Sequence, residues 1–271
     1  MRLNVLLVLF FVSGCATQSY QSSELKDVKS SFIMEDVPFI SGQEYHCGPS
    51  SFSMILKYLD YPLDDDQSVS MLYTPEKKGT HQQDIIIAAR RLGLLSIPIK
   101  SFDDIIIEID DYRPILVFKN LSLNWAPLWH YAVVVGYDLT EQEIILHSGE
   151  NEFEHVSFRR FKRMWERTDN WAYAFSYPED IPKTATEHNT LKSIASLEMI
   201  GKNNEALLSY EAVLERWKNS LGALIGLGNV HYNKGDYLQS YNYLKKAHEL
   251  SPHQEAVKHN LSIVRNQLIK E

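Results

Sequence analysis

The chain has 271 residues, a formal net charge of −8, 44% hydrophobic and 23% charged content, the balance of a globular protein with room for one or two domains. No basic run is long enough to track a phosphate backbone, so nucleic acid is not an expected partner. His81, His147 and His155 are scattered without paired ligand spacing, and Asp64-Asp65-Asp66 lacks the glycine turn and distal glutamate of a calcium loop, so no metal or cofactor is expected.

In chain order, Met1 and Arg2 give a short positive start, and residues 3–12 are an apolar run broken only by Asn4. That run is too short for a stop-transfer helix but suits a signal-peptide core. Val12-Ser13-Gly14-Cys15 resembles a bacterial lipobox, with valine where leucine is commoner. The resemblance implies cleavage before Cys15 and acylation of its thiol and new amino group, enough buried methylenes for stable anchoring. An ordinary signal peptide with an incidental cysteine is the alternative. Ala16, rather than aspartate, follows, which points to the outer membrane facing the periplasm. Residues 1–15 thus read as signal peptide and lipobox, and residues 16–33 as a polar tether. With Cys15 lipidated, Cys47 has no intramolecular disulfide partner, in a compartment that would allow one.

Residues 34–178 mix helix and strand patterns. Met54, Ile55, Tyr58 and Leu59 repeat at helical spacing after Pro49, which suits a first turn. Thr80 with Gln83 resembles a capping box opening a helix at 84–92, closed by Gly93. Ile97 and Ile99 suggest a short strand. Asp103-Asp104 and Asp110-Asp111 read as caps around Ile105-Ile106-Ile107. Pro114 leads into the buried-strand signal Ile115-Leu116-Val117-Phe118, and residues 130–137 are a stronger strand. Strands at 143–147 and 152–156, a helix at 158–167 and a strand at 171–177 follow. Helices first and an antiparallel sheet later define an α+β domain. Pro178 and Pro182 mark a linker at 179–186.

Residues 187–271 change to all helix with an internal period: Gly201 and Gly235, Ala206 and Ser240, Tyr210 and Leu244 stand at one common offset. The copy from Leu221, with Leu224, Leu227-Gly228, Gly235, Ala247 and Pro252, resembles a tetratricopeptide repeat; the copy from Glu187 is weaker, and residues 255–269 read as a capping helix. Two repeats are few for independent stability, so the array is expected to lean on the first domain. Repeats of this kind suggest a protein partner.

The chemistry centres on Cys47, a lone thiol opening a helix in the run Gln43-Glu44-Tyr45-His46-Cys47-Gly48-Pro49. Backbone dipoles and unpaired amides at a helix start favour the thiolate. His130, at the start of the strongest strand, is the candidate proton carrier, and Gln43 a candidate oxyanion donor. His46 flanks the nucleophile and reads as a turn residue. Trp125 and Trp129 either wall a substrate groove or pack on the sheet.

Residues 43–56, centred on Cys47-Gly48-Pro49, resemble the nucleophile segment of the papain-like cysteine peptidases that process bacteriocin double-glycine leaders, and residues 130–138 resemble that family's histidine strand. The resemblance spans residues 36–177 and is nearest to a stand-alone, lipoprotein-like branch with tetratricopeptide repeats after the peptidase domain. It implies Cys47 as nucleophile, His130 as general base and acid, and Gln43 as oxyanion donor at a shorter spacing than the family's commonest. The family usually carries Asn-Asp-Pro on the next strand, its aspartate orienting the imidazole. Here the matching segment is His147-Ser148-Gly149, without a carboxylate. Ser148 or His147 is then the expected acceptor, with Glu150 or Asn151 as substitutes from the next turn. Two functions follow: a lipid-anchored peptidase or amidase acting on a peptide or protein, or a degenerate papain-like scaffold that binds or assembles at the envelope.

Overall fold

The computed structural model of the protein describes residue 20 and residues 22–41, 46–62, 65–74 and 79–270. After a short helical turn at Ser23–Leu25 come β1 (Ser31–Ile33), α1 (Cys47–Tyr58), α2 (Asp65–Leu72), α3 (Gln82–Arg91), β2 (Leu95–Pro98) and α4 (Phe102–Asp110). A meander of β3 (Ile115–Asn120), β4 (Trp129–Asp138), β5 (Glu143–Ser148) and β6 (Asn151–Ser157) is followed by α5 (Phe158–Glu166) and β7 (Ala172–Ser176). The strands form one antiparallel sheet in the order β2-β7-β3-β4-β5-β6. The α+β expectation for the first domain holds.

β4 is the spine of this sheet. Its first half pairs with β3 and its last three residues pair with β1 on the same edge, while β5 takes the other edge. Residues 131–137 are all buried, and α1 and α4 both pack against the strand. That covering of both faces explains why the run reads as continuously apolar rather than alternating. Gly136 is required here, because a Cβ on it would stand 2.8 Å from the Phe32 carbonyl oxygen.

Two expectations change. Residues 22–33 do not hang free as a tether: Leu25 is buried, β1 joins the sheet, and Ser22 bonds to Asp103. The helix after residue 80 is capped by His81 with Asp84, not by Thr80 with Gln83. Asp84 accepts from the His81 amide at 3.3 Å, whereas the Thr80 carbonyl accepts from the Tyr131 hydroxyl. The linker is pinned: the buried Glu108 carboxylate accepts from both the amide and the hydroxyl of Thr184, and Arg113 pairs with Glu108 at 3.1 Å and with Asp180 at 2.7 Å.

The remainder is all helical: α6 (Glu187–Glu198), α7 (Asn203–Arg216), α8 (Leu221–Asn233), α9 (Tyr237–Leu250) and α10 (Glu255–Leu268). The second helix pair repeats the first, with α6 and α8 starting at 187 and 221 and α7 and α9 at 203 and 237. Each pair turns on a glycine of positive φ, Gly201 at 80° and Gly235 at 79°, a conformation costly for any residue with a Cβ. Small residues let the helices approach: Ser240 donates to the Gly228 carbonyl at 2.7 Å, beneath Leu244. The array leans on the first domain as expected. Leu95 and Ile97 of edge strand β2 share a core with Ile194, Leu197 and Tyr210, and the Ser96 amide donates to Ser193 Oγ. That contact covers an otherwise open sheet edge.

Candidate active site

Cys47 is the first residue of α1 and is half-buried, with a free thiol. His46 caps the helix and packs edge-on against Tyr73 at 4.8 Å. Pro49 sits in the first turn, where its missing N–H leaves no helical bond unmade. Gly48 is needed because Thr80 abuts the helix start: a Cβ at 48 would lie 2.6 Å from Thr80 Cβ. The Tyr131 hydroxyl donates to the Thr80 carbonyl at 3.0 Å, so residues 48, 80 and 131 fasten the first turn of α1 to β4.

This fastening brings the thiol to the backbone N–H of Tyr131, the residue that follows His130 in β4. The backbone N–H groups of Tyr131, Gly48 and Cys47 itself all stabilise a thiolate at Cys47, but burial outweighs them and pushes its pKa up. His130 is shifted the other way, down to about 4: burial is the largest cause, the positive charge of Lys119 adds to it, and Glu154 opposes it. Thiol and imidazole are therefore both neutral at pH 7. The Cε1 and Nε2 atoms of the His130 ring would lie 3.6 and 3.7 Å from a Cβ on Gly149, whose φ is +63°. A side chain at 149 would crowd the His130 ring as well as strain the turn.

Ser148 and His147 take different parts. Lys119 stands directly opposite His130 in the β3–β4 register, so the two share a face. The Lys119 ammonium, 1% exposed, donates to Ser148 Oγ at 3.0 Å and lies 3.7 Å from Glu154. Ser148 thus belongs on the imidazole's side of the sheet, its oxygen held by a lysine. His147 faces the other way, opposite Val133. Its Nε2 lies 3.0 Å from the Val37 carbonyl and its Nδ1 accepts from the Phe153 amide, with Phe39 and Phe153 against its ring. Both nitrogens are used, so His147 does not orient His130; it anchors the chain at Val37 and Phe39. Gln43 and Cys15 lie outside the described residues.

Lys119 is the residue that sequence reading missed. Burial lowers its pKa to about 8, against the pull of Glu154. The available signal was alternation: in a strand through 115–120 paired to 129–134, residue 119 falls beside 130. Trp129 stacks on Phe118 at 5.5 Å yet is half exposed, and Trp125 stands in solvent at 83% exposure.

A cysteine opening a helix, seated against a strand whose second residue is a histidine, within an α+β fold with an antiparallel sheet, is the papain-like cysteine peptidase arrangement. The chain belongs to the Peptidase_C39 like family, whose model matches residues 34–173. Among solved structures it is similar to a candidate C39-like peptidase from Bacillus anthracis, at 16% identity and a TM-score of 0.46, over 54% of this chain and 97% of that one. It is also similar to the peptidase domain of Streptococcus ComA, described as a bifunctional ABC transporter of a quorum-sensing pathway, at 20% identity and a TM-score of 0.39, over 51% and 97% of the two chains. No curated protein matches the chain.

Proposed function

We propose that the protein is a cysteine peptidase or amidase in which Cys47 is the nucleophile and His130 the general base and acid. The observation that supports this most is the seating of the Cys47 sulfur among the backbone N–H groups of Cys47, Gly48 and Tyr131, the last adjoining His130. The neutral imidazole takes the thiol proton as sulfur attacks the amide carbonyl. The imidazolium then gives that proton to the departing amine. Water, relieved of a proton by the imidazole, splits the thioester and restores the thiol. Because His130 is hard to protonate, it serves as a base within the reaction rather than as a resting ion pair. The Cε1–Nε2 edge of the ring lies toward Gly149, and the mechanism requires the Nδ1 edge to face the thiol. Gln43 is our candidate oxyanion donor.

The lipobox-like segment at Cys15 and the helical pairs complete the proposal: a lipid-anchored enzyme at the periplasmic face of the outer membrane, with tetratricopeptide-like helices recruiting a peptide-bearing substrate or partner. The second reading, a scaffold without catalysis, is favoured by one observation: a buried lysine and a serine occupy the place where the family's carboxylate is expected. Exposing a peptide library to the protein and to Cys47→Ala, then identifying new termini by mass spectrometry, separates the readings. The enzyme reading requires new termini that vanish in Cys47→Ala at unchanged melting temperature; no new termini with either protein supports the scaffold.

A further inference from the structure

One surface of this acidic protein gathers four arginines on α5 and its C-cap, beside one exposed carboxylate, Glu166. Helix α5 buries Phe158, Phe161, Met164 and Trp165. Its outer side carries Arg159, Arg160 and Arg163, all exposed, and Arg167 caps its end. Among the described residues, none pairs with Arg159, Arg160 or Arg163, although the chain carries 35 acidic residues against 27 lysines and arginines. With Leu121, Ser157 and Met164 these arginines line an open pocket of ≈450 Å³.

Two further features adjoin this face. The Arg167 guanidinium donates to the Ser122 carbonyl at 2.5 Å, tying α5 to the loop between β3 and β4. That loop is held in shape by the Asn120 side chain, which accepts from the amides of Ser122 and Leu128. It nonetheless shows water Leu123, Trp125 and Leu128, at 50%, 83% and 58% exposure. The described chain also begins on α5: the Tyr20 ring packs edge-on against Phe158 at 5.6 Å, beneath the Lys162 ammonium at 3.8 Å. Cys15 is five residues earlier in the sequence.

We infer that the arginine face of α5 and the loop at 121–128 form a docking surface for an anionic lipid bilayer, the arginines meeting phosphate headgroups while Trp125, Leu123 and Leu128 enter the interface. Guanidinium forks match phosphate oxygens, basic residues near an anionic surface add their attractions, and tryptophan favours the headgroup level. The loop ends at Trp129, beside His130, so docking sets the site next to the membrane. An acylated Cys15 would hold the surface within reach. The inference does not rest on peptidase activity, and Cys47→Ala is expected to dock equally.

The test uses the unlipidated chain from Ala16, which keeps every described residue, sedimented with vesicles after its melting temperature is checked. Vesicles of equal parts phosphatidylglycerol and phosphatidylcholine should carry the protein down, pure phosphatidylcholine much less, and added salt should weaken the binding. Arg159→Gln and Arg163→Gln should each lower binding about fivefold, the factor for about 1 kcal/mol per charge, while Arg159→Lys and Arg163→Lys retain it. Trp125→Ala should weaken it further. Equal binding to both vesicle types, indifference to the arginine substitutions, or arginine-dependent binding of soluble polyglutamate with both vesicles ignored, would each overturn the inference, the last in favour of an acidic peptide.

Discussion

Replacing Lys119 by methionine probes the odd charge in this site. The Lys119 pKa falls from 10.5 to about 8, so the buried ammonium costs about 3 kcal/mol at neutral pH. Methionine fills similar space without a charge. It forfeits the Ser148 bond, worth about 1 kcal/mol, while Glu154, 27% exposed, stays hydrated. The variant should therefore be more stable by about 2 kcal/mol net at pH 7. The sign has a pH signature. Between pH about 8 and 10.5 the unfolded wild type binds more protons than the native state, so wild-type stability rises there and the variant's advantage should vanish. His130 should respond as well. Lys119 is the positive charge that depresses His130, an effect that Glu154 partly offsets. The His130 midpoint should rise from about 4 by about one unit or more, followed by NMR on labelled histidine beside urea unfolding across pH. An unmoved midpoint, or a variant less stable than wild type at pH 7, would refute the reasoning.

Gly48→Ala drives a Cβ into Thr80 and should cost about 1–3 kcal/mol in urea unfolding; an unchanged midpoint would contradict the close approach. Arg113→Ala leaves the fully buried Glu108 carboxylate without its counter-charge, held only by Thr184, and should destabilise by about 3 kcal/mol, again read by urea unfolding. His147→Phe loses the Val37 and Phe153 bonds and should cost about 1–2 kcal/mol. It should leave the pH profile of Cys47 alkylation unchanged; a shifted profile would return His147 to the catalytic group.

Much of the peptidase domain was legible in the sequence because its elements are local. Continuous apolar runs bounded by Pro114, and by Gly136 within the run, marked β3 and β4 to within two residues. The glycines at 201 and 235 announced the helical pairs. Elements defined by a distant partner were harder. β1 has three residues and one half-buried side chain, Phe32, and exists because β4 leaves an edge open beyond Val134. The third position of the site turns on register. His147 and Ser148 are neighbours in sequence but point to opposite faces, and only pairing with Val133 decides which faces His130. Lys119 lies one residue past the apolar run 115–118, and the same register buries it beside the imidazole.

The central claim is that neutral His130 activates the neutral thiol of Cys47. Its most direct test is the rate of iodoacetamide alkylation at Cys47 against pH, in water and in heavy water, for the chain from Ala16 and its His130→Ala variant. The account predicts a wild-type rate that rises as His130 loses its proton near about 4. The rate should exceed the variant's up to the ordinary thiol range near about 8.5, with a clear slowing in heavy water. Superimposable profiles would remove His130 from the mechanism, and a fast rate without solvent isotope effect would replace the neutral pair by a resting thiolate–imidazolium pair.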